Sequence, residues 1–142
     1  MNANAADTTQ DQHNTYNLCI VDDDPFLLDM YNLKFQAAGH TVACFTDAGS
    51  ALNELRGGAR FDALLLDLVM PQISGLELLK TIREENLCGD STSLVVLSNQ
   101  NQQDDIDAAE SYRVDGYLVK ANTLPSEVLE QVEDIIENKR AK

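Results

Sequence analysis

Short apolar runs alternate with longer stretches of helical period along most of this chain. Leu18-Cys19-Ile20-Val21 is apolar at consecutive positions, which fits a short strand covered on both faces. Asp24-Pro25 then predicts a helix start, with the aspartate as N-cap and the proline at the first helical position. Leu28, Tyr31, Phe35 and Ala38 recur at helical spacing, and Gly39 marks the stop. Thr41 to Phe45 reads as a second strand, followed by a helix from about Ala48 to Arg56 that Gly57-Gly58 ends. Ala63-Leu64-Leu65-Leu66 is a third strand. Ser74 and Glu77 have capping-box spacing ahead of Leu76, Leu79 and Ile82. Leu94 to Leu97 is a fourth strand and Gly116 to Val119 a fifth; between them, residues 102–112 form a helix with few apolar anchors. Leu129, Val132 and Ile136 mark a last helix, entered through Pro125.

Five βα units in succession predict an α/β fold. Right-handed crossovers turn such units into a doubly wound parallel sheet of five strands with helices on both faces. Residues 1–15, which include His13, are polar and aperiodic and are expected as a disordered tail. Residues 16–138 then form one domain, with a short C-terminal tail at 139–142.

Composition narrows the function. The 142 residues carry a net charge of −14, which repels nucleic-acid phosphates and anionic membrane surfaces. No apolar run approaches a membrane span, and the polar start does not resemble a signal peptide, so a cytoplasmic location is expected. Cys19, Cys44 and Cys88 are odd in number and lack CxxC spacing, which argues against a disulfide framework or a zinc site. Cys19 and Cys44 lie in apolar runs and are expected in the core.

In an open α/β sheet, ligands bind beyond the C-terminal ends of the strands. Asp22, Asp23 and Asp24 follow the first strand, Asp67 the third, Ser98 the fourth and Lys120 the fifth. Carboxylates gathered this way need a cation, and Mg²⁺ suits a few carboxylate oxygens. A carboxylate beside Mg²⁺ and a lysine is a workable nucleophile toward a phosphoryl group, and the Ser98 hydroxyl can bond one of its oxygens. A single strand-end acid is ordinary loop punctuation; acids at two ends with a serine and a lysine at two others point to a site. Asp24 is accounted for by its helix cap. Asp104, Asp105 and Asp107 read as a solvated helix start. Tyr117 reads as a half-buried edge residue.

These motifs resemble a two-component response regulator receiver domain. The stretches that carry the resemblance are Cys19 to Asp24, Leu64 to Pro71 with Ser74-Gly75, Val95 to Ser98, and Gly116 to Lys120. It implies a flavodoxin-like, CheY-like topology with strand order 2-1-3-4-5, and Asp67 as phosphoacceptor. Asp22 and Asp23 would hold Mg²⁺, Asp23 and Asp67 directly and Asp22 through water, with the Val69 backbone carbonyl as a further ligand. Lys120 would contact the phosphoryl group, Ser98 would be the switch hydroxyl, and Tyr117 the aromatic rotamer switch. The surface of the fourth helix, fifth strand and fifth helix would then change and meet partners, a homodimer among them.

Three positions depart from the family pattern. Ala121 follows Lys120 where proline is usual; a cis bond before alanine costs about 3–4 kcal/mol, so a trans bond and a shifted loop are expected. Asn99 replaces a small residue beside the switch hydroxyl. Val69, often polar in the family, together with Asn99 and Gln100 is expected to tune the rate of phosphate loss, and an apolar Val69 predicts slow loss. The function expected is phosphotransfer signalling. A sensor histidine kinase or histidine phosphotransfer protein donates to Asp67, and the chain acts as a self-modifying switch rather than a turnover enzyme. With only a few residues after the last helix, a stand-alone receiver acting on a downstream protein is expected, and a domain of a longer protein is the other possibility. The alternative function is a phosphorylation-independent interaction module. A hydrolase would need a general acid or a cap, and a nucleotide binder a Gly-rich loop after the first strand; neither is present.

Overall fold

The computed structural model describes residues 14–99 and 102–141. Residues 1–13 of the expected tail, and Gln100 among the expected rate-tuning residues, lie outside them. Five strands, β1 (Asn17–Val21), β2 (Thr41–Phe45), β3 (Ala63–Leu66), β4 (Ser93–Ser98) and β5 (Gly116–Val119), alternate with five helices. The helices are α1 (Pro25–Ala37), α2 (Ala48–Arg56), α3 (Gly75–Glu85), α4 (Gln103–Ser111) and α5 (Pro125–Arg140). All strand pairs are parallel, in the order β2-β1-β3-β4-β5.

Successive side chains of a strand point to opposite faces, so each apolar run feeds two cores. Cys19, Val21, Leu64, Leu66, Leu94 and Val96 pack with Leu52, Leu55, Leu78, Leu79, Ile82 and Ala109 of α2, α3 and α4. Leu18, Ile20, Leu65, Val95 and Leu97 pack with Leu28, Tyr31 and Phe35 of α1 and Val128, Val132 and Ile136 of α5. This division is the doubly wound arrangement predicted from the consecutive apolar positions.

The helix starts follow their sequence signals. Asp24 accepts from the Phe26 and Leu27 amides, Asp47 from Ser50 N, and Ser74 with Glu77 forms the capping box. Gly39, at φ 98°, supplies the left-handed turn that leads into β2.

Two expectations are corrected. Cys44 is exposed rather than in the core, because β2 is an edge strand with a neighbour on one side only. Helix α5 continues through Arg140, into the segment expected as a tail. It is held there by ion pairs from Lys139 to Asp115 and from Arg140 to Asp62. Cys88, in the loop before β4, is buried. Among the described residues, no helix is long and apolar enough to cross a membrane.

Candidate functional site

Parallel strands end on one edge of the sheet, and that edge gathers the polar residues predicted for it. β1 delivers Asp22 and Asp23, β3 delivers Asp67, β4 ends in Ser98, and β5 leads into a 3₁₀ turn at Lys120–Asn122. Asp22 and Asp67 are almost fully buried and Ser98 is completely so. Carboxylate oxygens of Asp22, Asp23 and Asp67 lie within 4.8 Å of one another. A pocket of about 310 Å³ opens over them, lined by Asp23, Asp67, Val69, Ser98 and Asn99. Asn99 therefore forms part of the wall and leaves Asp67 accessible.

Each oxygen of Asp67 is positioned. Ser98 Oγ donates to Oδ1 at 2.8 Å, and the Val69 amide donates to the same oxygen at 3.2 Å. Lys120 Nζ donates to Oδ2 at 2.9 Å and also pairs with Asp22 Oδ2. The second oxygen of Asp22 accepts from the Asp24 amide at 2.9 Å. Both oxygens of Asp22 are thus engaged inside the protein, whereas Asp23 is exposed at the pocket mouth. One buried ammonium serves two buried carboxylates. Burial alone would lower the pKa of Lys120, but its hydrogen bonds to Asp22 and Asp67 outweigh burial and raise it. At Asp22 burial dominates instead. Burial pushes its carboxyl up against the pull of the Lys120 hydrogen bond, and Asp67 adds to the rise.

The donor set fits a hard divalent cation. Three clustered carboxylates, two of them paired with a single lysine, leave net negative charge at the mouth, and Asp23 offers oxygens to solvent. Tyr117 stands on β5 opposite Val96, half-buried. Burial raises its phenol, and the Asp105 and Asp67 carboxylates add to the rise. The Lys120–Ala121 bond is trans, as expected before alanine.

From the sequence Gly75 is read only as one of the residues that carry the resemblance, and the structure shows what it does: it lets the start of α3 close on the site. A Cβ there would lie 2.0 Å from the Asp67 carbonyl oxygen and 2.7 Å from Leu68 Cα. Its amide donates to Leu68 O at 2.9 Å. The start of α3 is thus pressed against the backbone that carries Asp67. A glycine at the first position of a capped helix, where a better helix former would be ordinary, was the available signal.

Comparison with known proteins agrees with this geometry. Residues 18–133 match the family described as response regulator receiver domain. The nitrate/nitrite response regulator protein NarL of Escherichia coli (strain K12) is 36% identical over 104 residues, which cover 72% of this chain and 47% of that protein. The chain thus spans about half the length of this relative. A CheY-like receiver domain protein from Methanospirillum hungatei JF-1 superposes with a TM-score of 0.81 at 20% identity, covering 90% of this chain and 98% of that one. The BeF3-activated receiver domain of DrrB, from Thermotoga maritima, has a TM-score of 0.75 at 23% identity, covering 87% of this chain and 99% of that one. With a match that runs from β1 into α5 and takes in every strand end that builds the pocket, this chain belongs to the response regulator receiver domain family.

Proposed function

We propose that Asp67 accepts a phosphoryl group from a phosphohistidine of a sensor kinase or phosphotransfer protein, and that the chain signals through the resulting change of shape. The observation that carries this reading is the Asp67 carboxylate at the floor of an open pocket, with Ser98 on one oxygen and Lys120 on the other. An Asp67 oxygen attacks phosphorus, the phosphorus–nitrogen bond breaks, and the histidine nitrogen keeps the electron pair. Lys120 and Ser98 are then placed to bond the oxygens of the transferred group. Asp23 and Asp67, which line the pocket, would hold Mg²⁺ directly, with the Val69 carbonyl, while Asp22, which lies behind the lining and pairs with Lys120, would act through water. Bound there, the ion supplies charge neutralisation for an anionic donor. Release of phosphate needs water to reach the acyl phosphate, and an apolar Val69 at the mouth gives that water no hydrogen-bonding partner. The chain is thus a switch consumed and regenerated, not a turnover enzyme.

Donor docking is assigned to the apolar surface beside the mouth. Phe26, Met30 and Leu33 form an exposed stripe on α1, and Leu124, exposed after the 3₁₀ turn, faces the same groove as Met30 and Leu33. Both segments begin within a few residues of site groups, Asp23 and Lys120. Output is assigned to the face of α4, β5 and α5. Exposed Asp104, Asp107 and Glu110 on α4 and Glu127, Glu130 and Asp134 on α5 would meet like charge in self-pairing through that face, which favours a cationic partner over a second copy. The interaction-module alternative needs no accessible carboxylate, and the open pocket over Asp67 weighs against it.

The test is incubation with acetyl phosphate, with and without Mg²⁺, read by intact mass. A Mg²⁺-dependent phosphoryl adduct, lost in Asp67→Asn, is expected. Absence of the adduct together with absence of Mg²⁺ binding would leave only the interaction module.

A further inference from the structure

Helix α4 is held at one end. Of its residues only Ala109 is fully buried, and its N-cap Gln102 makes no side-chain capping bond. The Gln103 amide bonds Asp107 within the helix, and Ser111 Oγ bonds the Ala108 carbonyl, also within it. Among the described residues, no α4 side chain makes a hydrogen bond outside the helix. The C-terminal end is different. Arg83 of α3 reaches across with its guanidinium, Nε donating to Tyr112 O and Nη2 to Arg113 O, both at 2.7 Å. Those carbonyls are turned toward it because Arg113 sits in the left-handed region at φ 61°, a conformation seldom taken by a residue with a side chain. A planar fork that bonds two carbonyls of a helix end also meets the negative pole of the helix dipole.

The neighbouring helix is fastened along its length. Val128, Val132 and Ile136 of α5 are buried against the sheet. His40 bonds Glu133 at 2.7 Å, Tyr16 Oη donates to Glu137 at 2.9 Å, and Lys139 pairs with Asp115 at 3.0 Å. Arg140 pairs with Asp62 and covers the Tyr16 ring. An event at Ser98 therefore meets a fixed α5 and a lightly held start of α4.

We propose that Arg83 is the pivot of the switch. It fixes the C-terminal turn of α4 to α3, so that a change at Asp67 and Ser98 appears as a swing of the first turns of α4 about an anchored far end. The proposal rests on Asp67 being the phosphoacceptor and adds a positioning residue in the last turn of α3, at the end away from the Asp67 backbone. A helix anchored at one end has low local stability at the other, the property a moving element requires.

The experiment is residue-resolved amide exchange of the full chain with and without beryllofluoride and Mg²⁺, for wild type, Arg83→Gln and Arg83→Lys. In wild type, exchange in residues 103–107 should respond to beryllofluoride, while residues 112–114 stay unchanged. In Arg83→Gln, exchange at residues 112–114 should rise by about tenfold without ligand, as two hydrogen bonds to a charged group are lost, and the response should spread along the helix. Arg83→Lys keeps the charge but not the fork and should fall between the two, closer to Gln. A wild-type response spread evenly over α4, or an Arg83→Gln pattern identical to wild type, would overturn the pivot while leaving Asp67 as acceptor. No beryllofluoride response in wild type would remove the acceptor reading, and the pivot with it.

Discussion

Replacing Gly75 by alanine adds one methyl group where there is no room for it. The new carbon would lie 2.0 Å from the Asp67 carbonyl oxygen, 2.7 Å from Leu68 Cα and 2.8 Å from the Asp67 carbonyl carbon. All three are backbone atoms, so no side chain can swing away. Ordinary contact begins near 3.4 Å, so the start of α3 or the residue carrying Asp67 must move by more than 1 Å. Overpacking a closed site costs about 1–3 kcal/mol, and a backbone obstruction places this variant at about 3 kcal/mol, a large fraction of a typical domain's stability of about 5–15 kcal/mol. A shift of that size in a reacting carboxylate also costs on the order of 100-fold in rate. Urea unfolding should therefore show a much lower midpoint for Gly75→Ala with an unchanged slope, and labelling by acetyl phosphate should slow by about 100-fold in the folded protein. Gly49→Ala is the control. Its added carbon meets only the Asp47 carboxylate, at 3.3 Å, inside a helix that favours alanine, so stability should stay within about 1 kcal/mol of wild type. If Gly75→Ala is as stable and as reactive as Gly49→Ala, the claim that α3 presses on the Asp67 backbone is wrong.

Three further outcomes follow from the pocket and its surroundings. Lys120→Met leaves Asp22 and Asp67 buried without their counter-charge. In EDTA it should lose about 3–5 kcal/mol of stability by urea unfolding, and Mg²⁺ should restore more of that loss than it adds to wild type. Phe26→Ala, on the exposed stripe, should slow transfer from a phosphohistidine donor by about tenfold, the size of a typical anchoring contact, while labelling by acetyl phosphate stays unchanged. Val69→Asn should speed loss of the phosphoryl group from Asp67, measured by the decay of the adduct mass in Mg²⁺ buffer, and an unchanged decay would remove Val69 from the account of stability.

What could be read from the residues was set by local chemistry. Runs such as Leu64-Leu65-Leu66 are apolar at every position because both faces are covered, and that property alone points to a sandwiched parallel sheet. Once the strands are parallel, their C-terminal ends share an edge, so Asp22, Asp67, Ser98 and Lys120 had to meet. What escaped depended on partners distant in sequence. The run Thr41 to Phe45 looks as buried as the others, and only its place at the sheet edge exposes Cys44. The last helix extends because Asp115 and Asp62 await its lysine and arginine. Arg83 bonds two backbone carbonyls of another segment, which carry no sequence signature; Gly75 signals a helix start with no room for a side chain, but not which backbone fills that room.

The stacking of Tyr16 against His40, with Glu137 and Arg140 closing over the tyrosine, brings the first and last described elements together at the pole opposite Asp67. A strand of five residues separates that pole from the pocket, roughly 17 Å. A fluorophore or purification tag attached beside either element would therefore stand clear of phosphoryl chemistry. A short peptide joining the two elements could close the chain into a loop, and fresh ends cut at Gly57-Gly58 would fall on an exposed turn remote from every acidic side chain of the pocket.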